Sequence, residues 1–434
     1  MTLWTAPELA AIGRPTRPFA ATGISIDTRT LAPGDLFIAL GGESRDGHAF
    51  VATALAQGAA GAMVSRPEGL PAGAPLLVVD DTLASLTALG AAGRARFQGR
   101  LVAITGSVGK TTVKEMLRRA LAPFGPVHAA HASYNNHWGV PLTLARLPQA
   151  AAFCIAEIGM NHPGEIAPLA RLAQPDVAVI TAIADAHIGN LGSLAAIAAE
   201  KAALLGALRP GGTAILPAAE PLLAPWHPGA RLFGTRDTTL TRLGPPIEAT
   251  VEGTPVRFTL AATGEHMAHN ALATLAACAA LGLDPIRAAA ALDGFTPIAG
   301  RGLQRPLPSG ATLLDESYNA SPASVRAALA TLATMPGRRI AVLGDMLELG
   351  AFGPDAHRAL APEIASAADL LYTCGPLTRL LFDAVPDTLR AAHADTAASL
   401  APLVAAHLRP GDAVLVKGSL GSRMRQIVDA LEQV

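Results

Sequence analysis

Short apolar runs and amphipathic stretches alternate along this chain almost from end to end. Runs at 35–40 (DLFIAL), 61–64 (GAMV) and 75–80 (PLLVVD) predict buried strands, with an alanine-rich helical stretch between the first two. A further apolar run at 101–104 breaks into a glycine-rich turn and then a helix carrying Val113, Met116, Leu117, Ala120 and Leu121 on one face. Strands follow at 153–159, 177–183 and 213–217, separated by helices such as 194–208. The stretch 248–260 alternates and turns at Glu252-Gly253-Thr254-Pro255, which predicts a β-hairpin, and a helix over 267–281 comes next. After Arg301-Gly302, strands at 311–316, 338–345, 369–375 and 412–419 alternate with helices, the first opened by Ser321-Pro322 as cap and first-turn proline. Alternating strand and helix predicts an α/β protein whose parallel sheets are covered on both faces. Three blocks are expected, 1–98, 99–303 and 304–434.

Length agrees with that division, since 434 residues exceed what one core fills. Half the residues are hydrophobic and only 15% charged, which excludes a disordered chain. Lys plus Arg (33) nearly cancels Asp plus Glu (34), so no basic face for nucleic acid is expected. The histidines lack metal-site spacing. Cys154, Cys278 and Cys374 lie far apart in apolar segments, which predicts buried reduced thiols rather than disulfides or a zinc site. The start lacks a basic region followed by an apolar core, and the longest apolar stretch, 271–283, is too short to cross a bilayer. A soluble cytoplasmic protein without membrane insertion is expected.

The turn after the 101–104 run carries the most chemistry. Glycines between strand and helix let backbone N–H groups close around phosphate oxygens, and the helix N-terminus adds partial positive charge. Gly106, Ser107, Val108, Gly109, Lys110, Thr111 and Thr112 thus form a candidate ATP cradle. Lys110 would reach the terminal phosphates and the Thr111 hydroxyl would sit on Mg²⁺. The match is to the short form G-x-x-G-K-T-T, with Ile104 where the longer pattern has a glycine. This loop does not choose among kinase, GTPase and ligase. Glu157, ending an apolar run, is a candidate Mg²⁺ carboxylate. By pattern alone His187 and Lys201 are a loop histidine and a helix lysine. Asn270 on a helix face is a candidate contact to a base, and Arg301 between blocks suits a phosphate across a cleft. Asp315, Tyr318 and Asn319 mark a polar strand end, where ligands gather in such sheets.

In combination these stretches resemble the Mur ligases, ATP-dependent amide-forming enzymes of peptidoglycan precursor synthesis. The resemblance rests on ITGSVGKTTVKEM (104–116), SYNNHWGVPLTLARL (133–147), AEIGMNHPGEI (156–166), DAHIGNLGS (185–193), GEHMAHNALA (264–273), LLDESYNASP (313–322), VLGDMLELG (342–350) and VLVKGS (414–419), together with 25–50. It implies a uridine-nucleotide-binding α/β domain, a central P-loop ATPase-like domain and a C-terminal Rossmann-like domain. The substrates it implies are UDP-N-acetylmuramoyl-tripeptide and D-alanyl-D-alanine, joined by a monomer using ATP and Mg²⁺ through an acyl phosphate. By the same resemblance Lys110, Lys201, His187 and Arg301 are catalytic, with Lys201 a lysine that becomes carbamylated. Thr111, Glu157, His187 and Lys201 face metal, and Asn270, Arg301 and Asp315 contact the nucleotide. Asn135 and Asn136 line the muramoyl-peptide side, while Ser25, Asp27 and Arg29 fall in the uridine region. Leu420 stands where the family's usual VKGSR has arginine.

Overall fold

The computed structural model describes residues 2–42, 46–130, 132–262 and 264–433; positions 43–45 of the 25–50 stretch lie outside the described residues. Among the described residues the strands form three sheets, each confined to one stretch of chain. The first contains β1 (Arg14–Pro15), β2 (Gly23–Ser25), β3 (Asp35–Ile38), β4 (Gly61–Val64) and β5 (Leu76–Val78), ordered β1-β5-β4-β3-β2. The second contains β6 (Arg100–Thr105), β7 (Val127–Ala129), β8 (Phe153–Glu157), β9 (Val177–Ile180), β10 (Thr213–Pro217), β11 (Arg231–Gly234), β12 (Thr238–Arg242), β13 (Ile247–Val251) and β14 (Thr254–Phe258). Its order is β14-β13-β12-β11-β10-β9-β6-β8-β7, so β6 lies inside the sheet. The third contains β15 (Leu303–Pro306), β16 (Thr312–Glu316), β17 (Arg339–Gly344), β18 (Leu370–Cys374), β19 (Arg390–Ala394) and β20 (Ala413–Lys417), ordered β15-β16-β20-β17-β18-β19.

The cores of all three are parallel, with antiparallel strands added at edges: β1, the β13–β14 hairpin and β15. Coverage on both faces explains the continuous apolar runs. Along β6, Leu101 and Ala103 enter one core while Val102 and Ile104 enter the other, as a period of two dictates. The helix Lys110–Leu121 lays Val113, Met116, Leu117, Ala120 and Leu121 on the second of these, beside the helix Glu265–Ala280. In the third sheet Leu313, Val342 and Val414 face one core, and Leu314, Leu343 and Leu415 the other.

Most of the strands that the pattern does not predict lie at sheet edges. β1, β2, β7, β15 and β19 are sheet edges or near-edges, and β7 (Val127–Ala129) and β15 (Leu303–Pro306) are half-buried with no clean alternation. An edge strand is covered on fewer sides, so its composition carries little periodic signal. β11 and β12 escape prediction for shortness and mixed polarity respectively. The predicted helix at 194–208 is a helix Leu194–Ala202 followed by a 3₁₀ turn, Leu205–Ala207. All three cysteines are buried and free. Among the described residues no helix is long and apolar enough to cross a membrane.

Two junctions fix how the sheets meet. The helix Thr82–Arg96 leaves the first sheet and packs on Gly139–Ala145, where Gly90 and Gly93 bring the backbones together; a methyl on Gly93 would run into Leu144 O. Trp4 Nε1 donates to Ala145 O (2.9 Å) and Arg146 Nε to Ile24 O (2.7 Å), bolting the first sheet to the same segment. At the second junction the turn 298–302 is seated on the end of β16: Gly302 N donates to Asp315 O (2.9 Å) and Gly300 N to Asp315 Oδ2 (3.0 Å).

Gly93→Ala should lower stability by about 1–3 kcal/mol, because backbone overlap outweighs the helix propensity that alanine brings. Thermal unfolding of the full chain reads this; a rise in melting temperature would show that the two helices can part without cost.

Candidate active site

The loop between β6 and its helix needs glycine at two places. Gly106 (φ +150°) and Gly109 (φ +84°) adopt backbone angles that side chains disfavour, and a Cβ on either would strike Thr181 Oγ1 or Asn270 Oδ1. The loop is pinned from the segment after β9. Ser107 N donates to Ala182 O (2.8 Å), Ser107 Oγ bonds Ala184 O and N (2.9 Å each), and the Thr181 hydroxyl donates to Val108 O. The first helical bond runs from Val113 N to Gly109 O, so the N–H groups from Gly109 to Thr112 precede the ladder at the helix's positive end. Lys110 Nζ folds back onto Gly106 O (2.6 Å).

Behind the loop a polar chain joins sheet to sheet. The Thr111 hydroxyl lies 3.2 and 3.1 Å from the two oxygens of Glu157 and 3.1 Å from Ser133 Oγ. Asn135 Nδ2 donates to Glu157 Oε1 (2.8 Å), and Arg301 donates to Ser133 Oγ (3.3 Å). The Arg301 guanidinium stacks 4.1 Å from the Tyr318 ring centre, and its Nε is buried without a partner among the described residues. Such an orphaned donor, two contacts away from the phosphate loop through Ser133 and Thr111, suits an anion. Glu157 is buried, and with the Thr111 and Ser133 hydroxyls it offers the hard oxygen donors that Mg²⁺ takes alongside substrate phosphates. Among the described residues no three His, Cys, Asp or Glu side chains gather as a metal cage.

The remaining predicted residues divide between the cradle, the interior and the first sheet. Asn270 stands over Gly109, at the cradle. His187, held at φ +64°, places Nδ1 2.8 Å from Glu348 Oε2 but off hydrogen-bonding alignment; Gly189 N donates to Glu348 O (3.2 Å). Lys201 is buried, and no carboxylate pairs with it among the described residues. Burial, with the Lys110 charge adding to it, pulls the Lys201 amine well below the usual lysine range. Asp315 is fully buried, but its carboxylate holds Gly300 N and both donors of Ser317, bracing the Arg301 turn rather than opening to the cleft. Asn136 Oδ1 accepts from Gly139 N (2.9 Å) at the start of a helix. On the first sheet, Ser25 Oγ turns onto Asp27 O (2.9 Å), and exposed Arg29 pairs with the Asp27 carboxylate.

Sequence reasoning missed three contributors. Lys114 is fully buried within 4.0 Å of Glu157, and its signal was legible: a lysine set against the apolar face of the loop helix. Ser133 and Glu348 come from irregular segments without period, and only the folded chain brings them here.

The partly buried cradle leaves Lys110 poised. Burial pulls its ammonium down to about 8, with Glu157 and Glu348 raising it and Arg301 lowering it. Triphosphate oxygens favour the charged amine, so nucleotide binding should raise this value and take up a proton. Uptake should approach about half a proton near pH 8 and fade toward pH 6, where the amine is already charged. Calorimetry in buffers of different ionisation enthalpy measures it; binding without proton uptake at pH 8 would contradict this placement of Lys110.

Comparison with known proteins places the chain in a family. Residues 20–94 match the Mur ligase family catalytic domain, 104–278 the Mur ligase middle domain, and 303–420 the Mur ligase glutamate ligase domain. A UDP-N-acetylmuramoyl-tripeptide–D-alanyl-D-alanine ligase of a Synechocystis species is 38% identical over 94% of this chain and 91% of its own. The crystal structure of MurF from Acinetobacter baumannii superposes with a TM-score of 0.88 at 30% identity, covering 99% of both chains. The MurF ligase of Thermotoga maritima in complex with ADP gives 0.81 at 25% identity, covering 95% of this chain and 97% of that one.

Proposed function

This chain belongs to the Mur ligase family, and from that premise we propose how it joins D-alanyl-D-alanine to UDP-N-acetylmuramoyl-tripeptide with the cleavage of ATP. The observation that carries the reading is likeness over nearly the whole chain to ligases of that name. The terminal carboxylate of the tripeptide attacks the γ-phosphorus of ATP, giving an acyl phosphate and ADP. The amine of D-alanyl-D-alanine then attacks the acyl carbon; phosphate leaves and the nitrogen loses a proton.

Anion must approach anion in the first step, so positive charge has to be in place beforehand. Lys110 and the N–H groups at the head of its helix hold the outer phosphates, and the orphaned Arg301 donor supports the transferring group from the other side. Asn270 serves the base, and Asp315 serves the nucleotide by fixing the turn that carries Arg301. Thr111 and Glu157 would hold Mg²⁺, with His187 and a carbamylated Lys201 as the site of a second ion. Bound there, Mg²⁺ supplies charge neutralisation between the phosphates. Lys201 fits its part because a buried lysine with a depressed pKa presents the neutral amine that adds to CO₂. Asn135 and Asn136 border the muramoyl-peptide side, and Ser25, Asp27 and Arg29 the uridine side. Holding three substrates in line contributes roughly 7–11 kcal/mol. Three domains, divided near residues 98 and 303, each bring one substrate, and their closure shields the acyl phosphate from water. The same reading places the enzyme in the cytoplasm as a monomer, in keeping with its free buried thiols.

ADP release followed by a coupled assay should require both the muramoyl-tripeptide and the dipeptide; release indifferent to the dipeptide would point to a nucleotide switch instead. Lys110→Ala should cut kcat at least about a hundredfold while uridine-nucleotide affinity stays unchanged. Loss of both would mean misfolding. Lys201→Ala should regain activity with short carboxylic acids in the buffer, and a folded variant deaf to every acid tried would remove the carbamate from the mechanism.

A further inference from the structure

Lys114 lies one helical turn beyond Lys110, on the phosphate-loop helix, and takes no part in the chemistry above. Its side chain is fully buried. An enclosed ammonium costs several kcal/mol unless its three donors are met. Here two of them donate to carbonyls, Ala130 O (2.9 Å) and Ala132 O (3.0 Å), and the charge is offset by Glu115 Oε1 at 3.3 Å and Glu157 Oε2 at 4.0 Å. Glu115 is steadied in turn by Arg118 (2.9 Å).

Both carbonyls belong to the irregular segment after β7. That segment carries Ser133, which meets Thr111 and Arg301, and Asn135, which meets Glu157. Asn135 O also receives Gly159 N (2.8 Å), whereas among the described residues Ala130 and Ala132 belong to no strand. Resting on the ligase reading, we propose that Lys114 is a positioning residue for phosphoryl transfer: it ties this segment to the phosphate-loop helix and so sets Ser133, Asn135 and, through them, Arg301 and Glu157 around the transferring phosphate. It touches no substrate itself. Its reach is through backbone carbonyls, so the segment's side chains are free for the site.

The test uses the full-length protein. Lys114→Met keeps the length and removes the donors, while Glu115 keeps Arg118 and Glu157 keeps Thr111 and Asn135. Thermal unfolding establishes that it folds. Its kcat should fall on the order of a hundredfold, the cost of a displaced site, with KM for the dipeptide unchanged. In a cycle with Asn135→Ala the two losses should fail to multiply, the double variant being no worse than the poorer single one within about twofold. Losses that multiply, or a kcat within about twofold of the parent, would overturn the proposal. Should the Met variant not fold, Lys114→Arg, which keeps the charge and alters the geometry, runs through the same cycle with the same criteria. If the parent protein itself releases no ADP in response to the dipeptide, the ligase reading fails, independently of Lys114.

Discussion

The rest of the structure is arranged around one polar chain: Arg301 to Ser133, Ser133 to Thr111, Thr111 to Glu157, with Asn135 closing on the same carboxylate. It contains a buried carboxylate, Glu157, and a half-buried guanidinium, Arg301, that do not touch each other. A site in which both are held apart by hydroxyls is built to receive something between them that is itself charged. Each end is secured by a different part of the fold. Glu157 ends β8 inside the central sheet, and Arg301 is set by a turn seated on Asp315 of the third. The chain of hydroxyls therefore spans the junction of two sheets, and the distance across it depends on how those sheets are docked.

That dependence explains the weight of contacts away from the cradle. Gly189 and Gly350 approach so closely that neither has room for a Cβ, and the Glu348 backbone bonds across the same gap. Close contact with the His187 ring, with the Lys110 charge adding to it, keeps the Glu348 carboxyl below the usual range. An acid from the loop after β17 thus meets His187 on the phosphate side. On the opposite flank Arg146 and Trp4 bolt the first sheet to the central one. A central sheet with the other two docked on separate flanks suits a reaction that must bring three substrates together and keep water out.

Burial decided how much of this was legible in the sequence. The interior strands read clearly because both faces of β6, β9, β17 and β20 are buried, which leaves unbroken apolar runs. Edge strands such as β7 and β19 did not, since solvent on one side removes the constraint on composition. The cradle was legible as a contiguous motif whose glycines the backbone geometry demands. Asn270 and Arg301 lie beside it although they are more than 150 residues away in sequence, because the fold brings them back. Ser133 and Glu348 had no local signal: a serine and a glutamate in loops acquire meaning only from their neighbours in space. Asp315 shows the converse, a residue singled out from the sequence as a nucleotide contact whose carboxylate braces a turn.

The central claim is that a substrate carboxylate, not water, attacks the γ-phosphorus held in this cradle. It is tested most directly by preparing the tripeptide substrate with ¹⁸O in its terminal carboxylate and analysing the released phosphate by mass. A single labelled oxygen should pass from carboxylate to phosphate with each amide bond formed. Phosphate released without label, while amide still forms, would contradict the claim.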